Sequence, residues 1–290
     1  MKLYIFGNGF DLAHNLKTKY SDYRDFIDAN IEKHKKWEII KEYYPSNYDF
    51  WSDAETNVCN IDLKRYYEPR VYFGELNDLD DLASAISESF NKFILEVNQT
   101  IEEKPKIFEL DKDAFFLTFN YTETLETLYG IPKERIIHLH NSTENAVMKE
   151  LFGLDDVGCI LGHAEQPDGF KFHSQGKIGL AKDYAKFIRR TAKPTKQIIE
   201  KNELGKKLIL LSQIIDEVVY YGFSFSPADR PYLQEIMIHL SPKAIKHTIY
   251  AHSDVTDVDE LKRQLMIKVG LCGGSIFDIN VINDKDKRKI

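Results

Sequence analysis

A glycine-rich turn near the N-terminus is the first segment whose residues could bind a ligand. Gly7-Asn8-Gly9 follows the apolar run Leu3 to Phe6, and a helical pattern begins at Asp11. Such a turn presents backbone amides to a phosphate or ribose, because glycine has no side chain to obstruct them. The third glycine of the usual dinucleotide fingerprint is missing, and many strand-to-helix turns use glycine for geometry alone. Asp11 can hold a ribose hydroxyl or cap the helix, and capping is the simpler role.

Asn120 is the second candidate for binding or chemistry. It follows the apolar run Ala114 to Phe119, which predicts a core strand. Its amide can donate and accept hydrogen bonds to an amide, a ribose or a water, or it can cap the following helix. Glu126, on that helix, is the weaker candidate, because a solvated or ion-paired role explains it.

Two histidines alternate along the short apolar run from Arg135 to His140. Since side chains alternate between the faces of a strand, His138 and His140 should point to the same side. A neutral imidazole is a metal ligand and a base near neutral pH. The sequence has no HExxH motif and no neighbouring carboxylate ligand set, so no metal site is predicted. Most strand histidines are structural, and His140, which ends the run, is the better candidate for acid/base chemistry.

Gly222 and Ser224 follow a further apolar run. Just after them, Ser226 as N-cap, Pro227 at the first helical position and Asp229 as the capping-box acid explain the start of a helix. Gly222 and Ser224 are not needed for this cap. They could therefore face a pocket that other strand ends share.

These candidates require a sheet that brings the ends of its strands together. Apolar runs that alternate with helical patterns favour an α/β, Rossmann-like fold, with a largely parallel sheet and helices on both faces. In such sheets, ligands bind at the carboxyl ends of the strands. The predicted strands are 3–6, 114–119, 135–140, 159–163, 217–222 and 245–251. We expect one polar rim, formed by Asn8, Asp11, Asn120, His140, His163, Ser224 and His252.

Helical patterns occupy the segments between the predicted strands. The strongest apolar stripe at helical spacing covers residues 79–101, and amphipathic helices rich in aromatic residues are expected between residues 20 and 67. We interpret the chain as a single α/β domain, 1–290, with helical insertions at approximately 20–110 and 177–215.

Composition restricts the class of protein and its partners. Hydrophobic residues make up 43% and charged residues 29%, which is enough apolar material for a core. The net charge of −7 opposes a large phosphate-binding surface and disfavours nucleic acid as a partner. A basic run at 182–196 could touch phosphates, although such runs are more often solvated helix faces. Its cations are Lys182, Lys186, Arg189, Arg190, Lys193 and Lys196.

Cysteine usage and the N-terminal segment bear on where the protein is found. Cys59, Cys159 and Cys272 are odd in number, far apart and without a CxxC pair, which is typical of thiols in a reducing compartment. The apolar N-terminal run is too short for a signal peptide or a membrane helix, and no other stretch approaches a membrane span. The expected location is the cytoplasm, without a membrane partner.

Six short motifs occur in order along the chain. They are Gly7-Asn8-Gly9-Phe10-Asp11-Leu12-Ala13-His14, Tyr20-Ser21-Asp22-Tyr23, Phe119-Asn120-Tyr121-Thr122-Glu123-Thr124-Leu125-Glu126, Ile137-His138-Leu139-His140, Gly162-His163 and Gly222-Phe223-Ser224-Phe225-Ser226-Pro227-Ala228-Asp229. Together they resemble the bacteriophage abortive infection AbiH family. The first motif followed by Tyr-Ser-Asp is fairly specific, and the others gain value from their order. The resemblance implies an antiphage protein that acts by abortive infection.

That family is in turn distantly similar to bacterial sirtuin-like defence domains. They place a glycine turn, an Asn-Tyr-Asp segment, a His-Gly segment and a Gly-Tyr-Ser segment in the same order. The similarity implies NAD as a substrate or ligand, without a prosthetic group. It also implies that Asn120 orients water or the nicotinamide ribose, and that His140 is a base near the ribose hydroxyl.

The same similarity implies that Gly7, Gly9 and Asp11 meet phosphate or ribose. The chain departs from the sirtuin-like pattern at Thr122, where those domains have aspartate, and at Asn141, where glycine is usual.

Three functional hypotheses follow. The first is cleavage of the nicotinamide–ribose bond of NAD when infection is sensed, with a phage or host protein as trigger. The second is a nucleotide-binding sensor without chemistry, in which ligand binding and the biological effect survive the loss of Asn120 or His140. The third is an enzyme that acts on nucleic acid. A homo-oligomer is compatible with each of them.

Overall fold

The computed structural model describes residues 1–44, 50–51, 54–59, 61, 78–140, 161–163, 178–201, 203–223, 229–240, 246–251 and 278–283. The chain divides into two compact units. The first unit consists of Met1–Lys17, Val97–Ser142 and Pro194–Ile290, and the second consists of Thr18–Glu96 and Thr143–Lys193. The assignment of both to a single domain with insertions stays a prediction.

The first unit contains a sheet of six strands among the described residues. They are β1 (Lys2–Phe6), β2 (Phe115–Thr118), β3 (Ile136–His138), β4 (Glu217–Tyr221), β5 (Lys246–Ala251) and β6 (Asp278–Asn283). Their order is β3-β2-β1-β4-β5-β6, and every neighbouring pair is parallel. This is the strand order of a doubly wound sheet. The prediction of an α/β, Rossmann-like fold is therefore confirmed.

The helices of the described residues belong to both units. In chain order they are α1 (Gly9–Ala13), α2 (Tyr20–Asn30), α3 (Glu38–Tyr43), α4 (Ala54–Asn57), α5 (Asp78–Asn98), α6 (Thr124–Tyr129), α7 (Ile178–Thr191), α8 (Thr195–Lys201), α9 (Leu204–Leu211) and α10 (Arg230–Leu240). Single 3-10 turns lie at Lys35–Trp37, Ile101–Glu103 and Lys133–Arg135. Among the described residues, every helix is too short or too polar to cross a lipid bilayer.

The central strand β1 explains why the sheet is stable. Its residues 3–6 are fully buried, which is expected of a parallel strand that is covered on both faces. Phe6 stacks on Phe10 of α1, with ring centroids 4.2 Å apart. This aromatic contact fixes α1 against the strand that precedes it, and so determines where the glycine turn lies.

The longest helix, α5, closely follows the predicted segment 79–101. Its apolar stripe packs in the second unit, where Tyr23 of α2 contacts the rings of Phe90 and Phe93 at 5.2 and 5.5 Å. The Tyr23 hydroxyl lies 2.7 Å from Ser89 Oγ, so the polar end of this buried ring is satisfied. The prediction of amphipathic helices rich in aromatic residues between residues 20 and 67 is confirmed for α2 and α3, and the separate prediction of a helix at 79–101 is confirmed by α5.

Three segments differ from the sequence-based expectation. β6 was not predicted, because Asp and Asn alternate with its apolar residues and disfavour a strand. β3 ends at His138, so the argument from strand alternation does not extend to His140. Most of the predicted strand 159–163 lies outside the described residues, and His163 forms an isolated parallel bridge with Ala192 in the second unit.

Candidate functional site

The carboxyl ends of β1 and β4 form the topological switch point of the sheet. These two strands are paired, with Phe6 opposite Tyr221, and the chain continues from β1 to one side of the sheet and from β4 to the other. Ligands of doubly wound sheets bind outside the strand ends at this point. The turns that follow β1 and β4 are therefore the place to look for a site.

Three glycines let these two turns pack against each other backbone to backbone. A Cβ on Gly9 would lie 2.4 Å from Gly222 Cα, and a Cβ on Gly7 would lie 2.6 Å from Gly222 O. Gly222 also has a φ of +60°, which L side chains rarely adopt. Close packing is thus sufficient to require glycine at all three predicted positions.

The amides of the glycine turn have backbone acceptors. Gly7 N donates to Tyr221 O at 3.1 Å, Gly9 N donates to Gly222 O at 2.9 Å, and Phe10 N donates to Gly7 O at 2.9 Å. These bonds use the donors that a phosphate would need. Asn8 precedes α1 and is exposed, and its side chain makes no capping bond to the helix.

Asp11 lies within α1 and is buried. Thr122 Oγ1 donates to Asp11 Oδ2 at 2.7 Å, and Thr124 Oγ1 donates to Asp11 Oδ1 at 2.8 Å. Burial raises the pKa of the carboxyl to about 6, against the opposing effect of hydrogen bonds from Thr122, Thr124 and the Asn120 side chain. Asp11 therefore ties α1 to the segment that follows β2.

Asn120 follows β2 and has only 5% of its surface exposed. Its backbone amide donates to Thr118 Oγ1 at 3.0 Å. Its side-chain oxygen Oδ1 is buried and has no hydrogen-bond partner in the described part of the chain. A buried acceptor without a partner costs about 1–3 kcal/mol, and such atoms are frequent where a ligand supplies the missing donor.

His140 follows β3 beside Asn120 and is 2% exposed. Its Nδ1 lies 3.2 Å from the Phe119 carbonyl, which accepts a hydrogen bond and so places a proton on that nitrogen. Its Nε2 lies 3.7 Å from Asp229 Oδ1. In the neutral ring Nε2 is the basic atom, and the carboxylate of Asp229 would stabilise the charge if that atom took a proton.

Two half-exposed aromatic rings lie near this site, one against His140 and one against Phe119, the residue before Asn120. Tyr121 lies 5.7 Å from the His140 ring, and Phe223 lies 4.5 Å from the Phe119 ring. Tyr121 and Phe223 are each partly exposed. Flat rings with free surface beside buried polar groups can stack on a planar heterocycle.

His138 has other partners than His140. Its Nε2 lies 2.8 Å from Glu126 Oε1, and its Nδ1 lies 3.5 Å from the Asn120 backbone carbonyl. Glu126 is thus ion-paired with His138 when the imidazole is protonated. This agrees with the solvated or ion-paired role that the sequence predicted for Glu126. The two histidines do not form a common ligand pair.

Some predicted positions lie outside this cluster or outside the described residues. Ser224, Asn141 and His252 are not among the described residues, and His163 belongs to the second unit. Within the described ranges, no group of three or more His, Cys, Asp and Glu side chains is close enough to hold a metal ion.

Half of the predicted basic run forms ion pairs within the second unit. Lys186 and Arg190 both contact the carboxylate of Asp80, the latter at 2.9 Å. Lys193 is fully buried and its Nζ lies 2.6 Å from Glu55 Oε1. These three cations are engaged by carboxylates, which reduces what the run could offer to phosphates.

Sequence reasoning missed three residues that the structure brings to this site. Thr122 and Thr124 bond Asp11, and Asp229 faces His140. Thr122 was noted as a departure from the sirtuin-like pattern, Thr124 was assigned no role, and Asp229 was interpreted as a capping-box acid. The one local signal for the two threonines is their spacing. Thr122 and Thr124 are separated by a single residue, which predicts two neighbouring hydroxyls in a turn.

Comparison with known proteins gives one match. The family model described as "Bacteriophage abortive infection AbiH" matches residues 3–77 and 64–251. No curated protein and no solved structure matches the chain. The matched segments include β1 to β5 and every candidate site residue named above except His252, which follows the last matched residue.

Proposed function

We propose that this chain, which belongs to the bacteriophage abortive infection AbiH family, binds a nucleotide at the carboxyl edge of its sheet. We propose further that it cleaves NAD at the nicotinamide–ribose bond. Its role in abortive infection against phage comes with the family. One observation carries the finer proposal. Asn120 and His140 are both buried and follow adjacent strands. The side-chain oxygen of Asn120, Oδ1, is an acceptor that has no hydrogen-bond donor among the described residues.

The proposed reaction breaks the bond between ribose C1′ and the nicotinamide nitrogen. The nitrogen keeps the electron pair, so the positively charged ring leaves as neutral nicotinamide and the ribose becomes an oxocarbenium-like cation. Water adds to C1′ and loses a proton, and the products are nicotinamide, ADP-ribose and a proton. Holding water and ribose in place converts an encounter into a single oriented event.

Asn120 and His140 have separate tasks in this scheme. Asn120 Oδ1 accepts a hydrogen bond from the attacking water or a ribose hydroxyl, and so orients it. His140 Nε2 takes the released proton, and the nearby Asp229 carboxylate stabilises the imidazolium. Tyr121 and Phe223 supply flat surfaces on which a nicotinamide or adenine ring stacks.

The remaining predicted residues shape the binding edge. Gly7, Gly9 and Gly222 act through their lack of side chains, which lets the turns after β1 and β4 approach closely. Asn8 is the exposed member of the first turn and offers its amide to a ribose or phosphate. Ser224 continues the second turn in sequence and is proposed to bind there too.

The test is nicotinamide release from NAD by the purified wild type, Asn120→Ala and His140→Ala, with calorimetry of NAD binding. His247→Ala is the matched control, because His247 and His140 are each 2% exposed, whereas His247 lies at the beginning of β5 and pairs with Val218. Loss of the general base His140 should lower turnover by about 100-fold or more, and misplacing the attacking water by about 1 Å, through loss of Asn120, should cost about as much. We expect this loss in both site variants and not in the control.

The other outcomes discriminate between the hypotheses. Binding of NAD without turnover would support the sensor. Equal loss in His247→Ala and the site variants would indicate damage to the fold instead of chemistry. Neither binding nor turnover by a folded wild type would overturn the proposal for NAD and direct the search to other nucleotides.

A further inference from the structure

We infer that Glu126 binds a ribose hydroxyl through its carboxylate, at the same edge of the sheet as Asn120. The inference deepens the proposed function, because it rests on the nucleotide site proposed there and names a further residue that contacts the sugar. It does not depend on cleavage of NAD. Glu126 lies in the first turn of α6, the helix that follows Asn120.

Only one oxygen of the Glu126 carboxylate has a partner among the described residues. Oε1 lies 2.8 Å from Nε2 of His138. Oε2 is buried and has no hydrogen-bond partner in the part of the chain that the structure describes. A buried acceptor that lacks a donor costs free energy, and the cost is larger for a charged group than for a neutral one. Oε2 is therefore the atom at which a donor from a ligand would stabilise this side chain.

The ring of His138 lies between Glu126 and Asn120. Its Nδ1 lies 3.5 Å from the backbone carbonyl of Asn120, and its Nε2 lies 2.8 Å from Glu126 Oε1. The width of a single imidazole thus separates the Asn120 backbone from the Glu126 carboxylate. Each of these two residues also carries a buried side-chain acceptor without a donor in the described ranges. A sugar ring is large enough to extend across both.

The helix α6 is anchored at both of its ends, which fixes Glu126 relative to the sheet. Thr124, its first residue, donates to Asp11 Oδ1 at 2.8 Å. Tyr129, its last residue, accepts a hydrogen bond from the backbone amide of Phe108 at 3.2 Å. A side chain that is held in place before the ligand arrives loses little conformational freedom on binding. Glu126 is therefore preorganised to receive a hydroxyl.

The two acceptors restrict the part of a nucleotide that can bind here. A carboxylate and an amide oxygen both accept hydrogen bonds, so the group that meets them must be a donor. An ionised phosphate has only acceptors, and its negative charge is repelled by a carboxylate. Ribose hydroxyls are donors, and a carboxylate binds a ribose hydroxyl in many doubly wound dinucleotide-binding proteins. Glu126 and Asn120 thus select the sugar, and the phosphates bind elsewhere along the edge.

The test compares the binding of ADP-ribose and ADP to the full-length protein by calorimetry. ADP-ribose carries the terminal ribose without nicotinamide, and ADP lacks that ribose. We expect the wild type to bind ADP-ribose about 10-fold more tightly than ADP or better. Glu126→Gln should weaken ADP-ribose about 10-fold and leave ADP unchanged, because hydrogen bonds to charged groups are among the stronger ones.

Glu134→Gln is the matched control, because it makes the same chemical change at an exposed glutamate that precedes β3, at the opposite edge of the sheet. It should bind both ligands as the wild type does. Equal affinity of the wild type for ADP-ribose and ADP would overturn the inference, and so would an equal loss of both ligands in Glu126→Gln. If Glu126→Gln does not fold, Glu126→Asp replaces it. That variant keeps the charge and withdraws both oxygens by one methylene, and the inference requires the same selective loss.

Nicotinamide release from NAD, measured on the same proteins, separates this inference from the proposed function. A selective loss of ADP-ribose affinity in Glu126→Gln, with no nicotinamide release by the wild type, would uphold the role of Glu126 and reject NAD cleavage. Nicotinamide release with ADP-ribose affinity that is independent of Glu126 would do the reverse. No binding of ADP-ribose by the folded wild type would overturn the inference, and no binding of NAD in addition would overturn the nucleotide site itself.

Discussion

At Asp11, burial and hydrogen bonding favour opposite protonation states of the carboxyl. Burial raises the pKa of this carboxyl to about 6, so the folded protein favours the protonated form more than the unfolded chain does. The hydroxyls of Thr122 and Thr124 donate to the two carboxyl oxygens and stabilise the ionised form, which opposes the effect of burial.

We expect the contribution of Asp11 to stability to fall as the pH rises. Its pKa of about 6 in the folded state lies above the ordinary 3.8, so the contribution is full below about pH 4 and is lost as the pH rises through 6. Between about pH 5 and pH 7.5 the loss is on the order of 1 kcal/mol. Urea unfolding of the wild type and Asp11→Asn at both pH values measures it. A difference between the two proteins that does not vary with pH would contradict it.

The residues of the candidate site differ in how far the sequence could predict them. Asn120 and His140 were predicted because each ends an apolar run, and position at a strand end can be read locally. The bonds of Asp11 to Thr122 and Thr124 join segments more than a hundred residues apart, and no local pattern contains them. Asp229 was missed because a helix cap explained it without reference to His140.

At the scale of elements, the strands of the sheet were predicted where apolar residues are contiguous. β1, β2 and β4 follow the expected segments within one or two residues, because strands buried on both faces need uninterrupted apolar runs. β5 also follows its expected segment, although it begins with Lys246, His247 and Thr248. β6 was missed, since Asp278, Asn280 and Asn283 interrupt its apolar residues. α6 ends at Tyr129, and the residue that follows it, Gly130, has a φ of +67°, the left-handed conformation in which glycine commonly ends a helix.

The contact between the turns after β1 and β4 predicts a large cost for any side chain at Gly222. Gly222→Ala places a Cβ 2.4 Å from Gly9 Cα and also has to adopt a φ of +60°. Strain and overpacking together should lower the free energy of unfolding by about 2–4 kcal/mol. Urea unfolding at a single pH measures the change.

Gly130→Ala is the control that separates the two causes. Gly130 has nearly the same φ, +67°, but an added Cβ meets no atom within 4 Å. It should therefore cost only about 1 kcal/mol, from the backbone conformation alone. If Gly222→Ala and Gly130→Ala lowered the free energy of unfolding equally, the turns after β1 and β4 would not be in close contact at Gly222.

At the scale of the whole molecule, charge argues against a nucleic-acid partner. The net charge is −7, and three cations of the basic run are paired with carboxylates of the second unit. Arg189 and Lys196 are exposed. Among the side chains of the run that the structure describes, these two exposed cations without a carboxylate partner given above neutralise few phosphates, so they give little counterion release and little affinity.

We expect no salt-dependent binding of single-stranded RNA or duplex DNA at about 0.15 M ionic strength, where surface charges are screened within about 8 Å. Fluorescence anisotropy of labelled oligonucleotides over a range of salt measures this. The double variant Arg189→Gln with Lys196→Gln should bind no less than the wild type. Binding that weakens steeply with salt and disappears in the double variant would contradict the expectation and revive an activity on nucleic acid.

Binding of NAD to the folded protein should appear as a gain in the stability of the whole chain. A ligand that binds only the folded state adds about 2.7 kcal/mol to the free energy of unfolding at 100 times its Kd. His140→Ala is the right protein for this measurement, because it should keep the binding edge and lose turnover, so NAD is not consumed during the experiment. Unfolding with NAD, with ATP and without nucleotide then identifies which part of the ligand is recognised. A gain with NAD alone supports recognition of the nicotinamide riboside, an equal gain with ATP indicates a general nucleotide site, and no gain with NAD contradicts NAD as the ligand.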